Sequence, residues 1–199
     1  MEGRYIIEDD FDSEFRLVGK PMATLQSIDV AERVIYMNTF TKSLASTIRI
    51  SYMVLPPHLL NEFYERLGFY ACTVSSFEQY TLARFIEEGY FEKHINRMRN
   101  YYRTVRDCLL EEIKKKIQKE KVQILEEDAG LHFPMRVETG QTDDALVMAA
   151  ARQGIRLSCM GDYYFDGSPK EAEHTIIMNY SAIRREDIAD AVDNLCRCL

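Results

Sequence analysis

The sequence lacks an excess of positive charge. Lysine and arginine number 25 against 32 aspartates and glutamates, for a formal net charge of −7. A chain of that sign does not advertise a nucleic-acid surface. Any DNA binding is therefore expected from a part outside these 199 residues. Paired cysteines are missing too. Of Cys72, Cys108, Cys159, Cys196 and Cys198 only the last two are close, and they lack the spacing of a zinc site. No metal is expected. An odd cysteine count, with no apolar signal core in "MEGRYIIEDDFDSEF", points to reduced thiols in a cytoplasm. No apolar run approaches the length of a membrane-spanning helix, so no membrane partner is expected. Internal repeats and low-complexity segments are absent. What remains is an ordinary globular composition, 46% hydrophobic and 29% charged, long enough for one or two domains.

Hydrophobic patterning predicts the elements. "RYIIE" (Arg4 to Glu8) reads as a buried strand that opens into Asp9 and Asp10. Phe11 to Met22, with Gly19 and Pro21, reads as loop. "RVIYM" (Arg33 to Met37) and "IRISYMVL" (Ile48 to Leu55) read as further buried strands, the last stopped by Pro56 and Pro57. Burial on both faces predicts a larger parallel sheet, completed by strands that this sequence does not hold. Pro57 suits the first turn of a helix running to Gly68. A second helix spans Ser75 to Glu88 and is closed by Gly89.

Phe91, Ile95, Met98, Tyr102, Val105, Leu109, Ile113 and Ile117 then recur at steps of three and four, one stripe on a single long helix. Its other face carries Arg97, Arg99, Arg103, Arg106, Lys114, Lys115, Lys116 and Lys119. That face reads as solvated and balanced by Glu111, Glu112 and Glu120, or as a basic contact surface. Beyond it, Val122 to Leu125, Gly130 to Val137, Ile155 to Cys159 and His174 to Tyr180 read as strands. Asp143 to Gln153 reads as a helix, and a last helix has Ile188, Ala191, Val192 and Leu195 on one face. The expected division is residues 1–89, part of a large α/β domain, and residues 90–199, a small α+β domain led by the long helix.

Three charged residues stand at strand edges: Asp9, Lys42 and Arg49. In a parallel sheet, ligands bind outside the carboxyl ends of the strands. Asp9 follows one strand and Lys42 the next, so the two can share a cleft. An aldehyde cofactor with an aromatic ring nitrogen and a phosphate would use all three. The amine forms an imine with the aldehyde. The carboxylate keeps the ring nitrogen protonated. The planar guanidinium grips phosphate. Thr39, Thr41 and Ser43 add short hydroxyls in the same turn. Blander readings stay open on residue types alone. Lys42 could be a surface lysine, Asp9 a turn cap, Arg49 a partner of Glu14, and His132 a structural residue on an apolar strand.

"YIIEDDFDSEFR", followed by "MNTFTKSLASTIRISYMVLPP" and later by "AGLHF", resembles the class I/II aminotransferase domain of the MocR subfamily of GntR-type transcriptional regulators. The resemblance covers nearly the whole chain. It implies an α/β, type I PLP-dependent transferase fold in part: the tail of the large-domain sheet and the small C-terminal domain. It implies pyridoxal 5'-phosphate (PLP) as cofactor. Position by position, Lys42 matches the lysine of the internal aldimine and Asp9 the acid on the pyridine nitrogen. Arg49 matches the phosphate-binding arginine, and Thr39 and Thr41 match hydroxyls that help hold that phosphate.

Two positions depart from the pattern. Phe11 stands where the family usually has a tyrosine on the cofactor's phenolic oxygen. "CMGDYYFDG" offers Asp162 and no arginine where some members hold a substrate carboxylate, leaving Arg156 and Arg184 as candidate substitutes. The resemblance further implies a winged helix-turn-helix domain and the first half of the transferase fold ahead of this part, a homodimer, and an amino acid or amine as effector. The expectation is an effector-sensing fragment of a PLP-dependent transcriptional regulator that binds cofactor poorly by itself. The same residues allow a true aminotransferase, moving an amino group between an amino acid and a 2-oxo acid. They also allow a degenerate α/β domain kept for dimer contacts.

Overall fold

A computed structural model describes residues 4–19, 22–128, 130–167 and 169–199. Pro21 of the first loop and Ala129 of the "AGLHF" stretch lie outside the described residues. The chain divides into two units, Met1–Glu14 with Gly19–Arg97, and Phe15–Val18 with Met98–Leu199.

In the first unit, β1 (Ile6–Asp9), β2 (Val34–Thr39) and β3 (Ser51–Val54) form one sheet in that order. β1 and β2 are parallel, with Ile6 level with Val34 and Asp9 with Met37. β3 is antiparallel to β2, and Thr39 pairs with Ser51. The expected all-parallel sheet is thereby corrected. The physical reason is connection length. Between Thr39 and Ser51 the chain makes one short helix, α2 (Phe40–Ser43), and a loop. A parallel crossover needs a dozen or more residues, usually with a longer helix.

Burial on both faces is also corrected. Ile7 is 67% exposed and Met53 43% exposed, and only Val34 and Asn38 of the three strands are buried. Apolar strands announce a surface that favours cover; they do not show that their own chain supplies it.

The unit's other helices are α1 (Leu25–Ile28), α3 (Pro57–Leu67) and α4 (Ser76–Glu87). α3 has proline in its first turn, and α4 starts on a capping box between Ser75 and Glu78. Gly89, at φ +73°, ends α4 in the left-handed region and opens the next helix. That helix is α5 (Tyr90–Lys116), 27 residues and so about 40 Å long.

From Met98 onward α5 belongs to the second unit. There β4 (Val122–Ile124), β5 (His132–Val137) and β6 (Thr175–Asn179) form an antiparallel sheet, joined by α6 (Asp143–Arg152) and α7 (Ile188–Cys196). The predicted stripe is the core here. Val105, Leu109 and Ile113 are buried, as are Phe133, Met135, Leu146, Ile176 and Val192 from the other elements. The buried Tyr180 hydroxyl donates to the Gly130 carbonyl at 2.6 Å.

Two expectations fail in this unit. Ile155 to Cys159 is not a strand: only Cys159 bridges Ile176, and Ile177 N–H reaches the Ser158 carbonyl. Just the end of that stretch comes alongside β6. Arg106 is not on a solvated face either. It is 7% exposed, pairs with Asp107 at 2.8 Å and with Asp128, and donates to the Glu127 carbonyl. It flanks the stripe, one position past Val105, and local carboxylates make its burial tolerable. Among the described residues, no helix is long and apolar enough to cross a membrane.

Candidate cofactor site

Three segments reach one end of the first unit's sheet. Asp9 closes β1, Thr39 closes β2 and leads into the α2 turn that carries Lys42, and Arg49 stands just before β3. Strand direction decides this. Parallel β1 and β2 put their carboxyl ends on one edge. β3 runs back, so its start lies at that edge, level with Thr39. In an all-parallel sheet Arg49 would sit at the opposite end.

The α2 turn is built by its own hydroxyls. Thr39 is extended at φ −136°, and its side chain accepts the Thr41 N–H at 3.3 Å, the geometry of an N-cap. Thr39 Oγ1 also lies 3.1 Å from Thr41 Oγ1 and 3.2 Å from the Ile50 carbonyl. Thr41 Oγ1 donates to the Ile48 carbonyl at 2.9 Å and receives an Arg49 Nη1–H at 3.5 Å. Phe40 N–H donates to the Ile50 carbonyl at 2.9 Å, which ties the turn to the chain entering β3. Two hydroxyls and a guanidinium thus stand together. Arg49 is exposed and carries five N–H donors, enough to receive an oxyanion beside Thr41.

Lys42 is half-buried in this turn. Its neighbour Ser43 is 1% exposed, and the Ser43 hydroxyl has no hydrogen-bond partner among the described residues. Such a buried, unmade hydrogen bond costs about 1–3 kcal/mol.

The acids of "EDD" divide their tasks. Glu8 accepts the Leu25 and Gln26 N–H groups at 2.7 and 2.9 Å, at the start of α1. Asp10 Oδ2 accepts the Tyr36 hydroxyl at 2.6 Å and the Ser13 hydroxyl at 2.9 Å. Asp9 points to the other face of the sheet, as alternation along a strand requires. It is exposed, and its carboxylate has no hydrogen-bond or ion-pair partner among the described residues.

No family model matches the chain. The transcriptional regulator YhdI of Bacillus subtilis, an uncharacterized HTH-type protein, is 37% identical over 191 residues, 96% of this chain and 40% of that protein. The probable rhizopine catabolism regulatory protein MocR of Rhizobium meliloti is 33% identical over 191 residues, 96% of this chain and 38% of its own. A crystal structure of kynurenine aminotransferase from Pyrococcus horikoshii, in complex with PMP, aligns with a TM-score of 0.80 at 25% identity, covering 98% of this chain and 47% of that one. The chain is homologous to the regulators YhdI and MocR and has part of the aminotransferase fold. It spans about two fifths of the length of the curated regulators it matches.

Of the remaining candidates, Phe11 belongs to the first unit and Arg156, Asp162, Arg184 and His132 to the second. Phe11 follows Asp9 and Asp10 and is 56% exposed. Arg184 belongs to the second unit and is committed to Asp187 at 2.8 Å and Glu186 at 2.9 Å. Arg156, also in the second unit, is exposed beside a cleft of about 110 Å³ that Asn179 and Ile177 line. Asp162 caps its own turn by accepting the Cys159 N–H at 3.1 Å. His132 is half-buried on β5, level with Asn179. Among the described residues, no group of three or more His, Cys, Asp or Glu could hold a metal ion.

Sequence reasoning missed Asn38 and Tyr36. Asn38 is 6% exposed; its amide donates to the Tyr36 hydroxyl at 3.0 Å and accepts the Thr39 N–H at 2.5 Å. Burial, and the hydrogen bond to Asp10, push the Tyr36 phenol well above its ordinary range, so it stays a donor. A buried asparagine two residues after a tyrosine on an apolar strand was the available signal.

Proposed function

We propose that this chain is the aminotransferase-like, effector-sensing part of a PLP-dependent transcriptional regulator. The observation that carries the reading is the convergence at one sheet edge of a lysine-bearing turn, a hydroxyl–guanidinium cluster and a carboxylate with no internal task. Similarity to YhdI and MocR supports the regulator, and the aminotransferase fold supports the cofactor class.

The residues fit PLP on three counts. Thr41 already stands within hydrogen-bonding distance of both Thr39 and Arg49, a cluster of the groups a phosphate needs. Asp9 is the one acid of its trio left for a ring nitrogen. Beside Lys42, the buried Ser43 hydroxyl is a polar atom without a partner among the described residues. When bound, PLP supplies an electron sink for an amino compound. The chain's own groups do the rest. Lys42 offers the amine that captures the aldehyde. Asp9 holds a proton at the ring nitrogen. Arg49 neutralises the phosphate, and the Thr39-capped turn orients Lys42.

Phe11 puts an apolar ring where the resemblance expects a hydroxyl donor, which favours sensing over turnover. In this reading the effector is an amino acid or amine. The protein is a homodimer in the cytoplasm, and exposed Phe69, Tyr70, Phe77 and Tyr80 supply apolar surface for a second copy. DNA is bound by a region outside this acidic chain. Residues 1–89 serve the cofactor and residues 90–199 form the small domain.

The test is borohydride reduction of the PLP-treated regulator containing this chain, followed by peptide mapping. Label on Lys42 is expected. Label elsewhere, or none in a folded protein, overturns the reading. The fold shared with kynurenine aminotransferase favours a second reading, a true aminotransferase. Rapid multiple-turnover transamination with an amino acid would select it.

A further inference from the structure

We infer that Asn38, Tyr36 and Asp10 are positioning residues that hold the Asp9 arm and the Lys42 arm of the site in register. This rests on the cofactor reading above.

The backbone joins the two arms only as far as Asp10, whose N–H donates to the Met37 carbonyl at 2.9 Å. Beyond that point the first arm turns away through Ser13–Phe15 and the second enters α2. Side chains continue the connection on the face opposite Asp9. Ser13 Oγ donates to Asp10 Oδ2 at 2.9 Å, and Tyr36 Oη to the same oxygen at 2.6 Å. Asn38 Nδ2 donates to Tyr36 Oη at 3.0 Å, and Thr39 N–H donates to Asn38 Oδ1 at 2.5 Å. One unbroken line therefore runs from the residue after Asp9 to the N-cap of the Lys42 turn.

Each member has a direction that the others require. Asp10 only accepts, so Tyr36 must donate to it. The Tyr36 oxygen is then an acceptor, which takes the Asn38 amide. That orients the Asn38 carbonyl oxygen towards Thr39 N–H. A chain of this kind, with a buried asparagine in it, keeps two strand ends at one separation more strictly than backbone pairing that has already stopped. None of the three needs to touch the cofactor.

The test compares Tyr36→Phe and Asp10→Ala with the unaltered regulator, using PLP titration and reductive labelling of Lys42, with thermal unfolding as the control for folding. Tyr36→Phe keeps the ring and its packing, and removes the hydroxyl that makes the link together with its interaction with Tyr52. PLP affinity is expected to fall roughly tenfold in each variant, the worth of about one net hydrogen bond. The double variant should lose little more than either single one, because the line is already cut. Folded single variants with unchanged PLP affinity, or fully additive losses, overturn the inference and leave the Lys42 reading standing. Absence of Lys42 label in the unaltered protein overturns both.

Discussion

Thr41→Val tests the proposed phosphate cluster most directly, because valine keeps the shape and deletes one oxygen. That oxygen donates to the Ile48 carbonyl at 2.9 Å, lies 3.1 Å from Thr39 Oγ1 and receives Arg49 at 3.5 Å. The first two contacts carry the stability. Each is worth about 0.5–1.5 kcal/mol net. The third is at the outer limit for a hydrogen bond and belongs to an exposed arginine, so its stability contribution is small. The expected cost is about 1–3 kcal/mol. Thermal unfolding should show a midpoint lower by roughly 2–12 °C.

The cofactor effect should be larger. The variant removes one hydroxyl from the phosphate set and frees Arg49 from its anchor. A hydrogen bond to a charged group is worth about 1.5–3 kcal/mol, which is roughly 10- to 150-fold in the dissociation constant for PLP. Thr41→Ser restores the oxygen, and its affinity should return to within about threefold of the unaltered protein. Two results refute the reasoning. One is a folded Thr41→Val protein that binds PLP as well as the original. The other is a Thr41→Ser protein as weak as Thr41→Val, which would assign the effect to the methyl group.

Two further outcomes are expected. Burial, above all, holds the Glu14 carboxyl above its ordinary range, with the charges of Asp10 and Asp12 adding to it, so the folded state keeps a proton that the unfolded state releases. Stability should therefore fall as pH rises from the ordinary glutamate value through the raised one. Glu14→Gln should match the original below that window and be more stable above it, as read by urea midpoints; parallel pH profiles would contradict the assignment. In the second unit, Tyr180→Phe leaves the Gly130 carbonyl without its 2.6 Å donor and should cost about 1–3 kcal/mol in urea unfolding. An unchanged midpoint would show that the hydroxyl is dispensable.

Much of the fold was legible because its signals are local. The α5 stripe follows from a period that any amphipathic helix must have, and Pro57 and Gly89 act through their own dihedral preferences. Lys42, Thr39, Thr41 and Arg49 could be named together because a short turn keeps them near in sequence. What stayed hidden was set by partners distant along the chain. Asp9 and Asp10 are adjacent and chemically alike, and Tyr36 on β2 joins Ser13 in telling them apart. Arg106 looked outward until Asp128 was found beside it.

Helix periods, caps and the composition of the turn were thus determined by the sequence itself, since each depends on residues a few positions apart. The direction of β3 was a tertiary decision. The same eight letters of "IRISYMVL" could pair either way, and only the short return from Thr39 makes them antiparallel. That reversal carries Arg49 to the edge where Asp9 and Lys42 stand, and so it is pairing, not residue choice, that assembles the site.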